Sequence, residues 1–370
     1  MSLSTSVRRG TQTLTEFLWP ARAEDRSIPV LDGGLSPNDA LDAFEEVWRC
    51  DDGADDVAVL GDRLVVSHGS TVTLLDPDAG RAVMTLDLEH RVGALAADGD
   101  RRLYAVTVGG PVHEVVLDGD ELRSARELPG GLGCPTAAAV GVGVLYVTEG
   151  STAVAPDDWP RDLMTKGRTG RVLEVSLASG EQRVICQGLA WAGGVALAAD
   201  GDLVVSEVWR HRLVRVDRAS GAVSGLTRPL AGYPTRLCQG LDGSIVVAFL
   251  SLRTHLVEFV LREDEFRAEM LRTIDPQFWI RPAHLITDER WEPLQIGSIK
   301  HLNVTKPWAP PRAYGLLAVM DGQGDFVRSW HARVGSSRSG ITAVALLDGR
   351  AVAVSRGSGC VLIETNQETR

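Results

Sequence analysis

The sequence predicts an all-β fold, a single six-bladed β-propeller, and three observations support this. First, one phrase occurs six times: a short apolar strand, a turn rich in Asp and Gly, and a second, β-branched strand. Second, a third strand and a polar alternating segment follow most copies, so each unit has roughly four strands at a spacing of about 40 residues. Third, segments with the 3.6-residue apolar period of helices are almost absent.

Each copy supplies the first two strands of one blade. Asp-Gly or Gly-Asp turns between apolar runs are the usual signal for a β-hairpin, and the third copy has Gly-Val-Gly in that place. The copies occupy residues 55–70, 92–110, 136–151, 193–212, 235–251 and 340–359.

The uneven spacing of the copies predicts two insertions. Residues 152–169 interrupt the third blade between its second and third strands. The other insertion lies at about 252–312. We expect it to be helical, mainly over 275–301, and to lie between the fifth and sixth blades.

The N-terminal part of the chain is predicted to close the ring. Residues 43–50 (AFEEVWRC) are expected to supply an outer strand to the last blade. We therefore divide the chain into an N-terminal arm, 1–40, and a six-bladed propeller, 41–370.

Composition restricts the partners. The chain has 49 acidic and 38 basic residues and a formal net charge of −11. Because an acidic protein without a basic stripe gains little from counterion release, we expect no nucleic-acid partner. The N-terminus has no apolar signal-peptide core and no apolar run approaches ~18 residues, so we expect a cytoplasmic protein without a membrane partner. Five isolated cysteines indicate neither a disulfide framework nor a zinc site. The oligomeric state is left open.

Propeller topology fixes which residues meet. The inner strands start on the top face, and the loops between second and third strands return to it. This face surrounds the central channel and is the default site for a small-molecule ligand.

Several stretches resemble the strictosidine synthase-like proteins, within the wider group that contains gluconolactonases and paraoxonases. They follow the family's order, and the resemblance extends over about residues 40–362. The stretches are LYVTEGSTAVAPDDWPRDLMTKGRTGRVLEVSLASGE (145–181), residues 189–216 and 230–249, PPRAYGLLAVMDGQGDFVRSW (310–330), ITAVALLDGRAVAVS (341–355) and ADDVAVLGDRLVVS (54–67).

The resemblance implies that the family's metal site is replaced here. Metal-dependent relatives hold a calcium-type ion at the channel mouth with Glu, Asn and Asp side chains, the oxygen ligands that hard cations need. An arginine in such a place repels a cation, so we expect no metal and no other cofactor. The corresponding positions in this sequence are Asp55 or Asp56, Thr136, Gly193 and the pair Thr235-Arg236.

The family's metal-free chemistry is also altered. The resemblance implies a metal-free acid/base mechanism of the strictosidine synthase type, with one glutamate in the last blade. Alignment on the Asp348-Gly349 turn places that glutamate at Thr342. A threonine hydroxyl is too weak an acid or base for this step without an activating partner. The family's known condensation of an amine with an aldehyde is therefore not expected.

Three residues are the candidate acid/base groups. Glu207 near His211 can orient and tune an imidazole, although a structural pair of Glu207 with Arg210 or Arg212 is the alternative. Asp56 is a candidate general base if burial raises its pKa, and the alternative is a turn or strand-end residue.

Six residues form the candidate substrate-binding set. Arg236 either binds an anionic group of the substrate or pairs with Asp55 or Asp56 in the vacated ion site. Trp191 and Tyr233 form an aromatic lid with Phe278, Trp279, Trp291 and Trp308, or else these rings pack the insertion onto the blades. The set is Arg236, Tyr233, Trp191, Thr136, Glu149 and Thr342.

These observations lead to three hypotheses about function. The first is a metal-independent enzyme of the strictosidine synthase-like class, acting by acid/base chemistry on a small molecule of secondary metabolism at the top of the channel. The second is a non-catalytic ligand-binding or scaffold propeller. The third is a lactonase- or esterase-like hydrolase with a remodelled metal site. A shared fold does not decide among them.

Overall fold

Six four-stranded antiparallel sheets follow one another along the chain and form the blades of a ring, which confirms the predicted six-bladed propeller. The structure is a computed structural model that describes residues 28–51, 53–240, 242–285, 300–301, 304–305 and 312–365.

The strands are numbered in chain order from β1 (Glu45–Arg49). The first three blades contain β2 (Asp56–Leu60), β3 (Arg63–His68), β4 (Thr71–Asp76) and β5 (Arg81–Asp87); β6 (Val92–Asp98), β7 (Arg102–Thr107), β8 (Val112–Asp118) and β9 (Glu121–Leu128); and β10 (Pro135–Gly141), β11 (Val144–Glu149), β12 (Gly170–Ser176) and β13 (Gln182–Leu189).

The fourth blade has the same plan, and the last two differ in how their strands are assembled. They contain β14 (Ala192–Leu197), β15 (Leu203–Glu207), β16 (Arg212–Val216) and β17 (Val223–Gly225); β18 (Gly232–Gln239), β19 (Ile245–Leu252), β22 (Leu316–Met320) and β23 (Phe326–His331); and β24 (Ile341–Leu347), β25 (Arg350–Ser355), β26 (Cys360–Ile363) and β1. A separate short hairpin pairs β20 (Lys300–His301) with β21 (Val304–Thr305).

The repeated hairpins form because their turns suit the twist of the strands. In the sixth blade, Asp348 and Gly349 both have positive φ, at 51° and 77°. Two consecutive residues with positive φ are what a type I′ turn requires, and Asp-Gly adopts them readily. The apolar faces of neighbouring blades then pack on each other.

The ring closes through the N-terminal strand, as predicted. β1 pairs antiparallel with β26, and Glu45 lies opposite Ile363. Val47 packs in the core between the sixth and first blades. The closure thus joins the first strand of the chain to the last, so no blade edge is left open at this point.

The chain before β1 is also packed. Leu41 is fully buried in a core cluster with Trp330 of the fifth blade. Phe44 meets the same Trp330 ring edge to face, with ring centroids 6.1 Å apart. The Asn38 side chain donates to the Ser329 carbonyl at 3.0 Å and accepts from the His331 amide at 3.0 Å.

The first insertion lies where it was predicted, between β11 and β12. It contains a 3₁₀ turn at Pro156–Asp158 and the helix α1 (Trp159–Thr165). Leu163 and Met164 of α1 are buried against the fourth blade's loops. The insertion therefore lies over the top face.

The position of the second insertion was predicted wrongly. It lies inside the fifth blade, between β19 and β22, and not between the fifth and sixth blades. Its helices are α2 (His255–Arg262) and α3 (Asp264–Thr273), upstream of the predicted helical segment 275–301. In that segment the structure describes only a 3₁₀ turn at Pro276–Phe278, irregular chain to residue 285 and the strand β20, and residues 286–299 lie outside the described part.

Two further observations bear on the expectations from composition. The five cysteines are all free thiols. Among the described residues, no helix has both the length and the apolar character that crossing a membrane requires.

We predict that Leu41 is needed for the stability of the whole ring. Leu41→Ala leaves a cavity between the N-terminal segment and the last two blades, and should lower the free energy of unfolding by about 2–5 kcal/mol. Val30, which is 79% exposed, provides the control. Val30→Ala should change the free energy of unfolding by less than about 0.5 kcal/mol. Urea unfolding measures both variants. Equal stability of the two would contradict a packed N-terminal segment.

Candidate functional site

A pocket opens at the top of the central channel, where the inner strands of all six blades begin. Arg236 and Thr342 lie on its inner side, tryptophans form one wall, and charged residues form its rim. Of the nine residues predicted for the site, four line this pocket: Arg236, Trp191, Thr136 and Thr342.

Arg236 and Asp56 form a buried ion pair across the channel. Arg236 lies on β18 of the fifth blade and is 9% exposed, while Asp56 begins β2 of the first blade and is 3% exposed. Arg236 Nε donates to Asp56 Oδ1 at 3.1 Å, and the Arg236 Nη2–Asp56 Oδ2 distance is 2.8 Å. Arg236 Nη2 also donates to the Gly93 carbonyl of the second blade at 2.9 Å.

Asp56 is held from a second direction. Its Oδ2 accepts a hydrogen bond from the Leu95 amide of the second blade at 2.7 Å. Burial raises the pKa of the Asp56 carboxyl, and the charge of Arg236 and the Leu95 amide oppose that shift. With both oxygens engaged, Asp56 is a structural anion at the centre of the ring, and the pairing that the sequence left open between Asp55 and Asp56 is made with Asp56.

The residues at the channel mouth do not fit a calcium-type ion. The guanidinium of Arg236 contacts the one carboxylate that faces it, Asp56. Hard cations need several oxygen ligands, and a fixed positive charge here repels them. In the described part of the chain, no group of three or more His, Cys, Asp or Glu side chains is arranged to hold a metal. The geometry therefore places a guanidinium at the channel mouth, where the resemblance to metal-dependent relatives implies an ion.

Hydroxyl groups connect neighbouring blades around the same level. Thr136 of the third blade donates to the Ala192 carbonyl of the fourth at 2.5 Å. Ser206 of the fourth blade donates to the Thr235 carbonyl of the fifth at 2.7 Å, and the Thr235 hydroxyl lies 3.3 Å from the Ile341 carbonyl of the sixth. Thr136 thus has a structural partner as well as a place in the pocket lining.

The rim of the pocket is a network of alternating charges. Arg91 contacts Asp55 at 3.1 Å and Asp157 at 2.6 Å. Arg356 contacts the same two carboxylates, at 2.9 Å and 3.4 Å. Hydrogen bonding with Arg91 lowers the pKa of Asp157. Since Asp157 belongs to the first insertion, these ion pairs fasten the insertion to blades one, two and six.

Three tryptophans form the aromatic wall. The Trp191 and Trp209 rings lie 5.3 Å apart between centroids, and Trp159 lies 6.0 Å from Trp209. Trp191 has a positive φ of 60°, an uncommon conformation for a bulky residue. Trp209 Nε1 donates to the buried Asp162 carboxylate of α1 at 2.9 Å, which fixes its ring.

Two polar atoms next to the pocket have no partner. Arg236 Nη1 and Thr342 Oγ1 are both buried, and neither has a hydrogen bond to any part of the chain that the structure describes. Buried polar groups are nearly always paired in proteins. Both residues line the pocket, so a bound molecule can supply the missing partner.

Glu207 and His211 do not act together as expected. Glu207 is buried, accepts from the Ala190 amide at 3.1 Å and contacts Arg212 at 2.7 Å, which is the structural pairing that the sequence offered as the alternative. His211 Nε2 faces Glu258 of α2 at 3.5 Å. Neither residue lines the channel pocket. The 3₁₀ turn Val208–Arg210, followed by His211 with φ of 52°, separates the two side chains.

Glu149 and Tyr233 also lie outside the pocket. Glu149 is buried and binds Arg171 at 2.6 Å and the Gly133 amide at 2.8 Å. Tyr233 is fully buried, and burial raises the pKa of its hydroxyl. Its ring packs edge to face on His211 at 4.6 Å. Both residues therefore support the loops around the site.

The predicted aromatic lid is formed only in part. Trp279 is 1% exposed and packs under Arg161, which lies 5.3 Å from its ring centroid, so it fastens the insertion to α1. Phe278 is 39% exposed. Trp291 and Trp308 lie outside the described residues.

Sequence reasoning missed four residues of the pocket and its rim. Trp159 and Asp157 come from the first insertion, and Arg356 follows the second strand of the sixth blade. Each lies between a second and a third strand, so the rule that such loops return to the top face was enough to find them. His284 also lies between a second and a third strand, those of the fifth blade, but placing the second insertion between the fifth and sixth blades hid that signal. Burial and the charge of Arg356 lower the pKa of His284 to about 3.

We predict that Arg236 stabilises the ring through Asp56. Arg236→Met leaves a buried carboxylate without its partner, which should lower the free energy of unfolding by about 3–5 kcal/mol. The double variant Asp56→Asn/Arg236→Met removes both charges and should recover most of that loss. Urea unfolding of the double-mutant cycle measures the coupling.

Arg272 provides the matched control, because it is a 70% exposed arginine that pairs with Glu269 on α3. Arg272→Met should lower the free energy of unfolding by less than about 1 kcal/mol. If Arg236→Met is as stable as this control, or the two changes at 56 and 236 are additive, the pair does not hold the blades together.

Comparison with known proteins extends these observations. The family model for strictosidine synthase matches residues 139–217. The protein STRICTOSIDINE SYNTHASE-LIKE 10 of Arabidopsis thaliana is 30% identical over 139 residues, which are 36% of this chain and 37% of that protein. The chain thus matches little more than a third of the length of this curated relative.

Among solved structures, the chain is similar to regucalcin, a calcium-binding protein from Agrobacterium tumefaciens strain C58. The TM-score is 0.52 at 10% identity, over 85% of this chain and 92% of that one, a level that shows the shared fold alone. Part of this chain is therefore similar to strictosidine synthase-like proteins, and its fold is shared with regucalcin.

Proposed function

We propose that this propeller is a metal-independent binding protein for a compact, flat aromatic molecule that carries a hydrogen-bond acceptor. The observation that carries the proposal is the pair of unsatisfied buried polar atoms, Arg236 Nη1 and Thr342 Oγ1, in one pocket lined by tryptophans. The binding mode is the second of the three hypotheses from sequence.

The charges around the pocket support a ligand without net charge. Arg236 is neutralised by Asp56, and the rim arginines Arg91 and Arg356 are shared by Asp55 and Asp157. Among the described residues, three guanidinium groups thus face three carboxylates, and these residues leave no excess charge to attract an ion. The expectation that Arg236 binds an anionic group is therefore less well supported than the alternative that it fills the vacated site.

The two polar atoms that remain unpaired, Arg236 Nη1 and Thr342 Oγ1, need a hydrogen-bond acceptor on the ligand. A guanidinium N–H can only donate, and a threonine hydroxyl can donate as well as accept. A carbonyl oxygen is the simplest group that satisfies both Arg236 Nη1 and Thr342 Oγ1. The rest of the ligand would lie along Trp159, Trp191 and Trp209, whose flat faces suit an aromatic ring.

The size of the pocket supports a compact ligand. Its cavity has a volume of about 120 Å³. A single ordered water needs roughly 10–15 Å³, so the space takes a small molecule and not a polymer. The rim ion pairs and α1 limit access from above.

The positions of the acid/base candidates favour binding over catalysis. Asp56 has both oxygens engaged, and Glu207 and His211 lie away from the channel pocket. His284 does line the pocket, but a pKa of about 3 makes its imidazole a weak base at neutral pH. The lactonase-like alternative needs an ion in the place that Arg236 occupies. We therefore rank the two enzyme hypotheses below the binding hypothesis.

A panel of aromatic carbonyl compounds built on coumarin, isatin and benzamide tests the proposal. Binding is followed by tryptophan fluorescence and thermal shift, with phenylacetate and phenethylamine as charged comparisons. Saturable binding of a neutral member, lost in Trp191→Leu, is the expected result. Failure of the whole neutral panel, or binding of only the charged compounds, would overturn the proposed ligand class.

We predict opposite effects of Thr342→Val on stability and on binding. Because the Thr342 hydroxyl is buried without a partner in the described chain, its loss should leave the free energy of unfolding unchanged or raise it by about 1 kcal/mol. The same change should weaken ligand binding about fivefold or more, since one hydrogen bond is lost.

Thr107→Val is the matched control. The Thr107 hydroxyl is also buried but donates to the Pro111 carbonyl at 2.6 Å, so its removal should destabilise the protein by about 1–2 kcal/mol and leave binding unchanged. If Thr342→Val destabilises as much as the control, its hydroxyl has a structural partner and the argument for a ligand contact fails.

A further inference from the structure

His284 is a polar residue of the channel pocket to which the proposed function gives no role. It lies in the second insertion, inside the fifth blade, and lines the pocket together with Arg236 and Thr342. Within the described part of the chain, burial and neighbouring charges act on its imidazole, and no hydrogen bond does. The ring is therefore open to a bound molecule.

Backbone contacts fix His284 beside Thr342. The Ser339 hydroxyl donates to the His284 carbonyl at 2.8 Å. Gly340 and Gly357 pack directly on the same backbone, because a Cβ atom at either glycine would overlap the His284 carbonyl oxygen. Since Thr342 follows Gly340 by two residues, the imidazole and the Thr342 hydroxyl lie on the same side of the pocket.

The imidazole also meets the aromatic wall. The His284 and Trp159 rings pack edge to face, with centroids 5.5 Å apart and an angle of 69° between their planes. Edge-to-face contacts of this kind favour one relative orientation of the two rings. An aromatic ligand that lies along this wall is therefore next to the imidazole.

The surroundings of His284 keep its imidazole neutral. Burial, then the charge of Arg356 and that of Arg281, lower the pKa of His284 to about 3, and the smaller effect of Asp157 opposes them. A neutral imidazole has one N–H donor and one bare nitrogen that accepts a hydrogen bond. The ring can therefore accept a hydrogen bond from a ligand throughout the physiological pH range.

The other polar side chains of the pocket leave an acceptor role to His284. The carboxylates of Asp55 and Asp157 are both engaged by the two rim arginines. Arg236 Nη1 can only donate. In the proposed binding mode, the carbonyl oxygen of the ligand already engages the Thr342 hydroxyl. A donor on the ligand thus finds its partner in the bare imidazole nitrogen.

On the basis of the proposed binding function, we propose that His284 selects aromatic lactams, ligands in which an N–H donor stands next to the carbonyl group. The carbonyl oxygen accepts from Arg236 Nη1 and Thr342 Oγ1, and the adjacent N–H donates to the imidazole of His284. A lactone of the same shape has an ester oxygen in place of the N–H. It leaves the imidazole nitrogen without a donor, because an ester oxygen can only accept.

The pair 2-quinolinone and coumarin tests this proposal, because the two compounds share one shape and differ in N–H against O. Calorimetric titration into the full-length protein should show 2-quinolinone binding about fivefold more tightly, the gain from one hydrogen bond. N-methyl-2-quinolinone should lose that gain. The preference should be the same at about pH 6 and pH 8, whereas an imidazole with an ordinary pKa would be partly protonated at the lower pH and lose its acceptor.

Substitutions at His284 should change the preference and not only the affinity. His284→Leu leaves the lactam N–H buried without an acceptor, so this variant should prefer coumarin. His284→Gln keeps an acceptor oxygen and should prefer 2-quinolinone, as the wild type does. His255→Leu is the matched control, since His255 is exposed on α2 and does not line the pocket, and it should keep the fivefold preference.

Two outcomes separate this inference from the proposed function. Equal affinity of the wild type for 2-quinolinone and coumarin, or an unchanged preference in His284→Leu, overturns the role of His284 and leaves the binding of neutral aromatic carbonyl compounds intact. Failure of both compounds together with the rest of the neutral panel overturns the proposed function, and the lactam selection with it.

Discussion

Arg236 reaches across the channel from the fifth blade and binds Asp56 of the first blade and the Gly93 carbonyl of the second. Blades in a propeller otherwise contact only their neighbours, so a link that crosses the channel fixes the ring as a whole. The hydroxyls of Thr136, Ser206 and Thr235 add links between adjacent blades at the same level. Together with β1, which closes the ring at its outer edge, these polar contacts hold six otherwise similar sheets in one arrangement.

The same ion pair divides the channel into two parts. Above it lies the pocket with the tryptophan wall and the charged rim. Below it the inner strands line the channel with apolar side chains, among them Val57, Leu95 and Val195. A buried ion pair gains little stability over an apolar pair of similar size, but it favours one arrangement because a wrong register leaves charges unpaired. The ring therefore combines a fixed polar floor with a ligand pocket above it.

Much of this arrangement can be predicted from the sequence, because strand turns and repeats are local signals. The Asp348-Gly349 turn and its counterparts in the other repeats predicted six blades. The position of Arg236 in its repeat predicted that this side chain lies in the channel, where the structure has it. The second insertion was misplaced because β22 and β23 resemble the start of a closing blade, and only their pairing with β19 shows that they complete the fifth.

The side-chain partners at the site depend on contacts between distant segments. Glu207 and His211 are four residues apart, yet the 3₁₀ turn between them directs His211 to Glu258 and leaves Glu207 with Arg212. Rotamers and loop paths of this kind have no signature in one sequence.

The positive charge of Arg236, which is paired with Asp56, repels a calcium-type ion from the channel mouth. Thermal unfolding of the full chain in calcium chloride and in EDTA, with metal content measured on the same sample, tests it most directly. We predict no stoichiometric ion and melting temperatures that agree within about 1 °C, which corresponds to roughly 0.8 kcal/mol or less for 370 residues. A bound ion whose removal by EDTA lowers the melting temperature would contradict it.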